Sequence, residues 1–372
     1  MWISQLYNYP YLLYPIWLFF RARLSARPVH RKPILPTISI VIAARNEQAH
    51  HEGKLSNLRD LDYPAELIDT HVVSEGSTDR TNEVLRNLVD FRLRPIFLPA
   101  HSGKGEALNR AVEAVPGEIV VFVDARQRIA RDSIKTVVES FADPPVGRVS
   151  GALMLGDGEE TAPRGVGSYW ETEKAVRSRE SAGGSVVGAT DALYAVRGGL
   201  IPDLPNGLIL DDVFIPMSVA RTGSRVIFEP RALAWDKLSS SSKQEFRRKV
   251  RTLFGNYQLL RLAPWLLTAA NPLRFEFFSH KLSRLAVPFA LIAMILASIF
   301  LSGPIYRLPL VAAIGVGTLV ALASVRVPFG IASRLTDLAL AFVLLNTAAI
   351  VAFFYFASRE ETSVDLGTGI FS

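Results

Sequence analysis

Residues 38–47 read Ile-Ser-Ile-Val-Ile-Ala-Ala-Arg-Asn-Glu, an apolar β-branched run that ends in polar residues. The pattern returns at 68–79, where His-Val-Val precedes Ser-Glu-Gly-Ser-Thr-Asp, and at 118–126, where Val-Val-Phe-Val precedes Asp-Ala-Arg. Short runs rich in valine and isoleucine are typical of buried strands. The three segments therefore predict strands of one sheet, each with polar residues at its carboxyl end.

Segments with helix spacing alternate with these strands, and two further apolar runs continue the series. The helical segments are 54–61, 79–89, 105–115 and 132–141, and the further strands are 95–98 and 147–153. Strands that alternate with helices predict an α/β fold with a Rossmann-type, doubly wound, mostly parallel sheet. Ligands bind such sheets outside the carboxyl ends of the strands, where the polar residues lie.

The C-terminal quarter of the 372-residue chain is far more apolar than the rest. Three nearly uncharged runs, 285–302, 308–325 and 335–357, approach or exceed the ~20 residues that cross a bilayer. The run 2–20 is apolar and aromatic but contains two prolines, so that it either spans the membrane or lies in its interface. We predict an α-helical membrane region with one N-terminal and about three C-terminal helices.

Basic residues set the expected orientation of these helices. Arginine and lysine cluster at 21–32, at 281–284 and at 326–334, which all fall on one side if four helices cross. The positive-inside rule places 21–284 in the cytoplasm, which predicts a multi-pass protein of the inner (cytoplasmic) membrane. Because the formal net charge of +6 is concentrated in a membrane flank, no nucleic acid partner is expected.

Four parts follow from this pattern: an N-terminal membrane helix with its basic flank (1–32), a cytoplasmic α/β domain (33–262), an interfacial segment (263–284) and C-terminal membrane helices with a short tail (285–372). The interfacial segment mixes aromatic residues with a few charges, which is typical of an amphipathic stretch in the headgroup layer. The chain has no cysteine, so that any metal must be held by oxygen or imidazole.

Acidic residues end two of the predicted strands. Glu75 follows the second strand, and Asp124 follows the strand that begins at 118. An acidic side chain at this edge either accepts a hydrogen bond from a ribose or base, or coordinates a hard cation that bridges phosphates. The turn at 76–79, taken alone, fits a plain helix cap equally well.

Three more motifs contain residues that could take part in binding or catalysis. Lys104 lies between two glycines, either near a diphosphate or as a solvated loop lysine, and its surroundings lack the flanking residues of a Walker loop. Asp211 and Asp212 follow an apolar run and either cap the next helix or supply a general base whose pKa is raised by its surroundings. The basic run 247–251 is either a solvated or membrane-facing surface or a diphosphate clamp.

In this order the motifs resemble glycosyltransferase family 2, and more narrowly the membrane-bound branch that includes cellulose, hyaluronan and poly-N-acetylglucosamine synthases. The matching blocks are 40–47, 74–81, 103–109, 123–126, 210–212 and 248–251, followed by Ser279-His280-Lys281 ahead of the C-terminal helices. Each block alone is weak, whereas six in order are specific. The resemblance implies a GT-A-like fold and a glycosyltransferase.

The resemblance also implies roles for the matched residues. The implied donor-binding residues are Ala43, Arg45, Glu47, Glu75, Lys104, Asp124 and Arg126. Asp124 matches the first residue of the Asp-x-Asp motif, which makes it the implied ligand of Mg²⁺ or Mn²⁺. Asp212 matches the general base that takes the proton from the acceptor hydroxyl. The residues implied to hold the diphosphate and the acceptor end are Asp211, Arg248 and Arg251.

The implied reaction is a single inverting displacement. It moves a sugar from a nucleotide-sugar donor, with UDP favoured, to a lipid-linked or polysaccharide acceptor in cell-surface or exopolysaccharide synthesis. Three residues depart from the family pattern. Arg126 replaces the second Asp of Asp-x-Asp, which leaves the metal requirement open; Asp211 replaces a Glu; and Thr252 replaces the Trp that lies against the acceptor in processive synthases.

Two other functions remain open at this point. A polyprenyl-phosphate sugar transferase shares the soluble fold and can carry C-terminal membrane helices, although the 248–251 block favours the synthase-like branch. A non-catalytic nucleotide-binding subunit of a polysaccharide synthase complex, which requires a partner subunit, is favoured by Arg126 and Thr252 and disfavoured by the retained acidic residues.

Overall fold

The computed structural model describes residues 13–88, 92–156, 164–236, 242–301, 303–323 and 331–358. Its α/β part is built on an eight-stranded sheet in the order β3-β2-β1-β4-β7-β6-β8-β5. The strands are β1 (Ile38–Ala44), β2 (Ile68–Glu75), β3 (Leu93–Leu98), β4 (Ile119–Val123), β5 (Arg128–Ile129), β6 (Val146–Leu155), β7 (Leu193–Arg197) and β8 (Arg225–Asp236). The five strands predicted from the sequence are all present, and β5, β7 and β8 were not predicted.

The sheet is mixed, and the prediction of a mostly parallel sheet was wrong for its second half. β1, β2, β3 and β4 pair in parallel, as an alternating α/β pattern requires. β7 runs antiparallel to both β4 and β6, and β5 runs antiparallel to β8. Because β7 reverses direction, its amino end lies at the same edge of the sheet as the carboxyl ends of β1 and β4.

The helices confirm the four predicted helical segments and add others, notably α6. They are α1 (Tyr14–Leu24), α2 (His51–Arg59), α3 (Thr81–Asn87), α4 (Lys104–Ala114), α5 (Ser133–Glu139), α6 (Arg164–Gly183), α7 (Asp211–Arg221), α8 (Ser242–Leu262), α9 (Arg274–Phe277), α10 (Ser283–Phe300), α11 (Pro304–Ala323) and α12 (Ile331–Ala357). Successive side chains of a strand point to opposite faces, and both faces of β1 are buried. α5 covers one face with Ile134, whereas α4 and α7 cover the other.

Two helices are long and apolar enough to cross a membrane, the helix that runs through Arg274–Phe300 and the stretch Ala339–Ala357 of α12. Within α11, Arg307–Ala321 forms a shorter apolar helix, so that three C-terminal spans are not established. Less than a third of the most apolar window of either long helix is buried inside the protein. Their outward faces carry large apolar side chains such as Ile299 and Phe354. At the N-terminus, α1 covers the end of the predicted run, and residues 1–12 lie outside the described part.

The predicted interfacial segment contains a 3-10 turn (Pro264–Leu267), α9 and a π-helix (Phe278–Leu282) that leads directly into α10. Its side chains divide between two environments. Phe277 and His280 are buried against the α/β domain, whereas Phe275 and Phe278 are exposed. The segment is therefore amphipathic, and its buried side chains pack on the α/β domain.

Candidate active site

The loop after β1 is held by polar contacts to the turn after β2. Asn46 adopts a left-handed conformation (φ 56°), and its side-chain oxygen accepts a hydrogen bond from the Thr78 N–H at 2.9 Å. The Glu47 N–H donates to the Thr81 hydroxyl at 2.9 Å. Ala43 and Arg45 flank the end of β1, so that the block 43–47 lies at the carboxyl edge of the sheet.

Glu75 is buried at the end of β2 and fixes the loop that precedes α4. Its Oε1 accepts hydrogen bonds from the backbone N–H groups of Ser102, at 2.8 Å, and Gly103, and lies 2.5 Å from His101 Nδ1. The loop packs so closely on the β2 turn that a Cβ on Gly76 would lie 2.5 Å from the His101 backbone nitrogen. Glu75 therefore determines where Lys104, the first residue of α4, is placed.

Lys104 lies among carboxylates. Its Nζ is 3.0 Å from Asp211 Oδ2 and 3.3 Å from Asp191 Oδ2. Burial alone would lower the pKa of Lys104, but the carboxylates of Asp191, Asp211 and Asp124 outweigh burial and hold that pKa well above its usual value. We call Asp124, Asp191, Asp211 and Asp212 the carboxylate cluster.

Asp191 is a site residue that the sequence analysis missed. In the sheet register Val123 pairs with Leu193, which places Asp124 after β4 beside Asp191 before β7. An acidic residue that follows an apolar run was recognised as a signal, whereas Asp191 precedes one. In an antiparallel strand, an acidic residue before the apolar run lies at the same edge of the sheet as one that follows a parallel strand.

Asp124 combines burial with two cationic neighbours. Burial raises its pKa to about 6, against the opposing charges of Lys104 and Lys54. The Lys54 ammonium donates to the Gln127 carbonyl oxygen at 2.7 Å, and burial lowers the pKa of Lys54 to about 8. With a pKa of about 6, Asp124 is mostly ionised at neutral pH.

Asp211 and Asp212 begin α7 and differ in their contacts. Asp211 is 2% exposed, binds Lys104 and accepts a 3.5 Å hydrogen bond from the Tyr194 hydroxyl. Asp212 Oδ1 is buried and has no hydrogen-bond partner among the described residues. Burial and the Asp191 carboxylate raise the pKa of Asp212 to about 7. Asp212 therefore has one free oxygen and a proton affinity suited to neutral pH.

A buried arginine lies behind the carboxylate cluster. Arg148 of β6 is fully buried, and its guanidinium stacks on the Tyr194 ring at 4.2 Å. None of its three guanidinium nitrogen atoms has a hydrogen-bond partner in the described part of the chain. Tyr194 in turn stacks on Phe122 at 4.7 Å, which fixes the hydroxyl that reaches Asp211.

Three of the four candidate arginines, Arg126, Arg248 and Arg251, are largely exposed to solvent. Arg126 is 59% exposed, and its Nε donates to Glu47 Oε1 at 2.6 Å, which joins two predicted donor residues. Arg248 is half exposed and pairs with Glu245 of its own helix α8, and Arg251 is exposed. The described contacts therefore do not bring Arg248 and Arg251 into the carboxylate cluster.

Helix α8 instead supports the approach to Asp211. Gln258 binds both the Gly207 carbonyl oxygen and the Ile209 N–H, at 2.9 and 3.2 Å. Gly255 packs so closely that a Cβ there would lie 2.6 Å from the Leu210 side chain. The other side of α8 packs through Tyr257 on Phe353 and Phe356 of α12.

Among the described residues no group of three or more histidine, cysteine or acidic side chains is arranged to hold a metal ion. Asp124 offers hard carboxylate oxygens at the edge where phosphates are expected. Mg²⁺ is commonly held by one or two carboxylates together with substrate phosphates. The residues therefore fit a cation that arrives with a diphosphate, and not a preformed metal cage.

Comparisons with known proteins show what the chain is similar to in sequence. The model of the family described as "Glycosyl transferase family 2" matches residues 39–188. A beta-monoglucosyldiacylglycerol synthase of Nostoc is 32% identical over 143 residues, which are 36% of this chain and 31% of that protein. An N-acetylglucosaminyltransferase of Rhizobium meliloti is 26% identical over 286 residues, which are 72% of this chain and 67% of that protein. The chain thus spans about a third of the first relative and two thirds of the second.

A solved structure shares the fold over almost the whole length. It is a mannosyltransferase from Pyrobaculum calidifontis in complex with GDP-Man and Mn²⁺, with a TM-score of 0.72 and 22% identity. The match covers 96% of this chain and 98% of that one. The likeness confirms the predicted GT-A-like α/β fold.

Proposed function

Residues 39–188 form a glycosyltransferase family 2 domain, and from this premise we propose that the chain transfers a sugar from a nucleotide-sugar donor to an acceptor hydroxyl with inversion at the anomeric carbon. One observation carries the proposal. Asp212 presents a buried oxygen without a partner, and its pKa is raised to about 7. A carboxylate in that state is matched to proton transfer at neutral pH.

The proposed reaction is a single displacement. Asp212 Oδ1 accepts the proton of the acceptor hydroxyl while the hydroxyl oxygen forms a bond to the anomeric carbon. The bond from that carbon to the phosphate oxygen breaks, and the nucleoside diphosphate leaves with the electron pair. Lys104, whose Nζ lies 3.0 Å from Asp211 Oδ2, is proposed to stabilise the negative charge of the departing diphosphate.

The donor is proposed to lie along the carboxyl edge of β1, β2 and β4. Ala43, Arg45 and Glu47 line this edge after β1, and Arg126 is tied to it through Glu47. Glu75 holds the loop before Lys104, so that its contribution to donor binding includes placing that ammonium group. We favour a UDP-sugar from the family resemblance, and a panel of donors tests that choice.

A divalent cation, Mg²⁺ or Mn²⁺, is proposed as cofactor because Asp124 fits a single carboxylate ligand and the structurally similar mannosyltransferase from Pyrobaculum calidifontis is in complex with Mn²⁺. When bound, the cation supplies positive charge that stabilises the leaving diphosphate. Arg126 is directed to Glu47 and not to Asp124, so that it leaves this place open.

The acceptor is proposed to be a lipid or a lipid-linked or growing glycan at a membrane. Two helices can cross a bilayer, and the basic flanks favour a multi-pass arrangement with the α/β domain in the cytoplasm. The π-helix Phe278–Leu282 leads directly into α10, which supports an active site close to the bilayer surface. The relatives' names, a glycolipid synthase and an N-acetylglucosaminyltransferase, support an acceptor of this class.

The test is nucleoside diphosphate release by the detergent-purified full chain from UDP-, GDP- and TDP-sugars, with lipid extract and with or without Mg²⁺ or Mn²⁺. We expect release from one donor, lost in Asp212→Asn. Asp132→Asn is the matched control, since Asp132 is exposed at the start of α5 and caps it without a side-chain hydrogen bond. Silence with every donor would favour a nucleotide-binding subunit that needs a partner.

A further inference from the structure

The π-helix Phe278–Leu282 directs a lysine from the membrane side into the active site. A Cβ on Gly188 would lie 3.1 Å from Lys281 Nζ and 3.9 Å from the Asp212 carbonyl oxygen. The neighbouring Ala189 N–H donates to that same carbonyl oxygen at 3.0 Å. The Lys281 ammonium thus lies against the short loop that holds Asp212, and glycine at 188 leaves room for it.

Buried polar contacts of the neighbouring residues fix the position of this lysine. His280 Nδ1 lies 2.8 Å from Glu180 Oε1, and His280 Nε2 lies 3.3 Å from Glu173 Oε2. Arg284 binds Glu173 Oε1 at 2.8 Å. Both glutamates belong to α6 and are buried. Through them, α6 holds His280 and Arg284, the residues on either side of Lys281. Burial would raise the pKa of Glu173, but the charges of Arg284 and His280 outweigh it and keep that carboxyl ionised.

Glu180 of α6 also contacts the loop beside Asp212. The second oxygen of Glu180 accepts a hydrogen bond from the Val187 N–H at 3.2 Å, and Tyr14 of α1 donates to the first at 2.6 Å. One buried carboxylate therefore connects the N-terminal helix, the membrane-side π-helix and the loop 187–189.

We propose that Lys281 is a positioning residue of the transfer reaction, which keeps Asp212 ionised and aimed at the acceptor and so makes the membrane-side helix part of the active site. The proposal rests on the proposed role of Asp212 as general base. It assigns a function to a residue outside the family domain, which ends at residue 188.

The charges around Asp212 and Lys281 determine how the pKa of Asp212 is expected to change when Lys281 is replaced. Besides burial, the carboxylates of Asp191 and Asp211 raise the pKa of Asp212, while Lys281 and Lys104 oppose them. Arg148 faces Asp212 from β6. The charged groups that face Lys281 besides Asp212 are Glu173, Arg177 and Arg284. Since removal of a nearby opposite charge moves a pKa by about 1 to 3 units, loss of Lys281 is expected to raise the pKa of Asp212.

The experiment is the pH profile of kcat/KM for the full chain with Lys281→Met and Lys281→Arg. In Lys281→Met the acidic limb is expected to move upward by about one pH unit, with about fivefold lower activity at pH 7 that recovers at higher pH. Lys281→Arg keeps the charge and is expected to retain the wild-type profile. The control is Lys135→Met on the opposite face of the sheet, a 44% exposed lysine that pairs with Asp62.

The outcomes separate the two proposals. An active wild type whose profile does not change in Lys281→Met would overturn the role of Lys281 and leave the proposed function standing. Equal loss at every pH in both Lys281 variants would mean a purely structural residue and would also overturn it. A wild type without turnover for any donor would overturn the proposed function, and the role of Lys281 with it.

Discussion

The two halves of the sheet contribute to the candidate active site in different ways, and we call them the donor half and the acceptor half after their proposed roles. In the donor half, β1, β2 and β4 run in parallel, and Arg45, Glu75 and Asp124 lie at or just after their carboxyl ends. In the acceptor half, the strands change direction, and Asp191, Asp212 and Lys281 come from a loop, a helix and the membrane-side segment. The residues at the edge of the parallel half can be inferred from the local sequence. Those of the mixed half come together only after distant elements have packed.

The largest expected effect separates the halves directly. Asp212→Asn removes the proposed base without touching the donor edge, so that kcat/KM for transfer is expected to fall about 10³-fold while donor affinity stays unchanged. Steady-state transfer and donor binding by calorimetry measure the two quantities. Asp124→Asn is the counterpart from the donor half, and it should weaken binding of the donor. If both variants lose donor affinity equally, the division into halves is wrong.

Lys104 joins the halves, because α4 belongs to the donor side and its ammonium binds Asp191 and Asp211. Lys104→Met is expected to lower kcat/KM about 100-fold, through weaker donor binding and a lower kcat together. Kinetics over a range of donor concentrations distinguish the two contributions. A change confined to kcat would place Lys104 wholly in the acceptor half.

The turn after β2 tests the donor half by stability. Gly76→Ala places a side chain on a left-handed residue (φ 54°) and against the His101 backbone, so that unfolding should become easier by about 2 kcal/mol, or about 30-fold in the equilibrium. Gly53→Ala is the control, because its Cβ meets nothing within 4 Å in α2 and alanine favours a helix. Urea unfolding of both variants in detergent gives the comparison, and equal midpoints would contradict the close packing of this turn.

The smallest effect concerns pH. A general base works only when ionised, and the pKa of Asp212 is raised to about 7, so that activity should fall as pH decreases through that value. From pH 7 to pH 6 the expected decrease is about fivefold. A rate profile between pH 5.5 and 9 measures it with unaltered protein. A limb centred near pH 4 would show that Asp212 is not the titrating group in the free enzyme.

The sequence allowed the strands of the donor half to be predicted. β1, β2 and β4 are short, apolar and β-branched, so that each strand and its polar end can be recognised from neighbouring residues. β8 was missed because Glu229, Pro230 and Arg231 interrupt its apolar run. The irregular pairing of β6 with β8 accommodates this interruption, which only the folded sheet reveals.

The acceptor half could be predicted only in part. Asp212 was proposed because an acidic pair follows an apolar run, and the implied roles of Arg248 and Arg251 beside the diphosphate stay predictions, since Arg248 pairs here with Glu245 of its own helix. The partners of His280 lie about 100 residues away in α6, and such long-range ion pairs leave no periodic signal. Register, burial and helix packing decide these contacts, and all three arise after folding.

The carboxylate cluster also has a charge balance that bears on the order of substrate binding. Its four acidic side chains, Asp124, Asp191, Asp211 and Asp212, face four cationic ones, Lys54, Lys104, Arg148 and Lys281. When all eight groups are ionised, the positive charge in this set is balanced before any substrate arrives. A nucleoside diphosphate carries at least two negative charges and finds no surplus cation within the set. Its affinity should consequently depend on a counter-ion that enters with it, so that nucleotide and metal are expected to load as one unit.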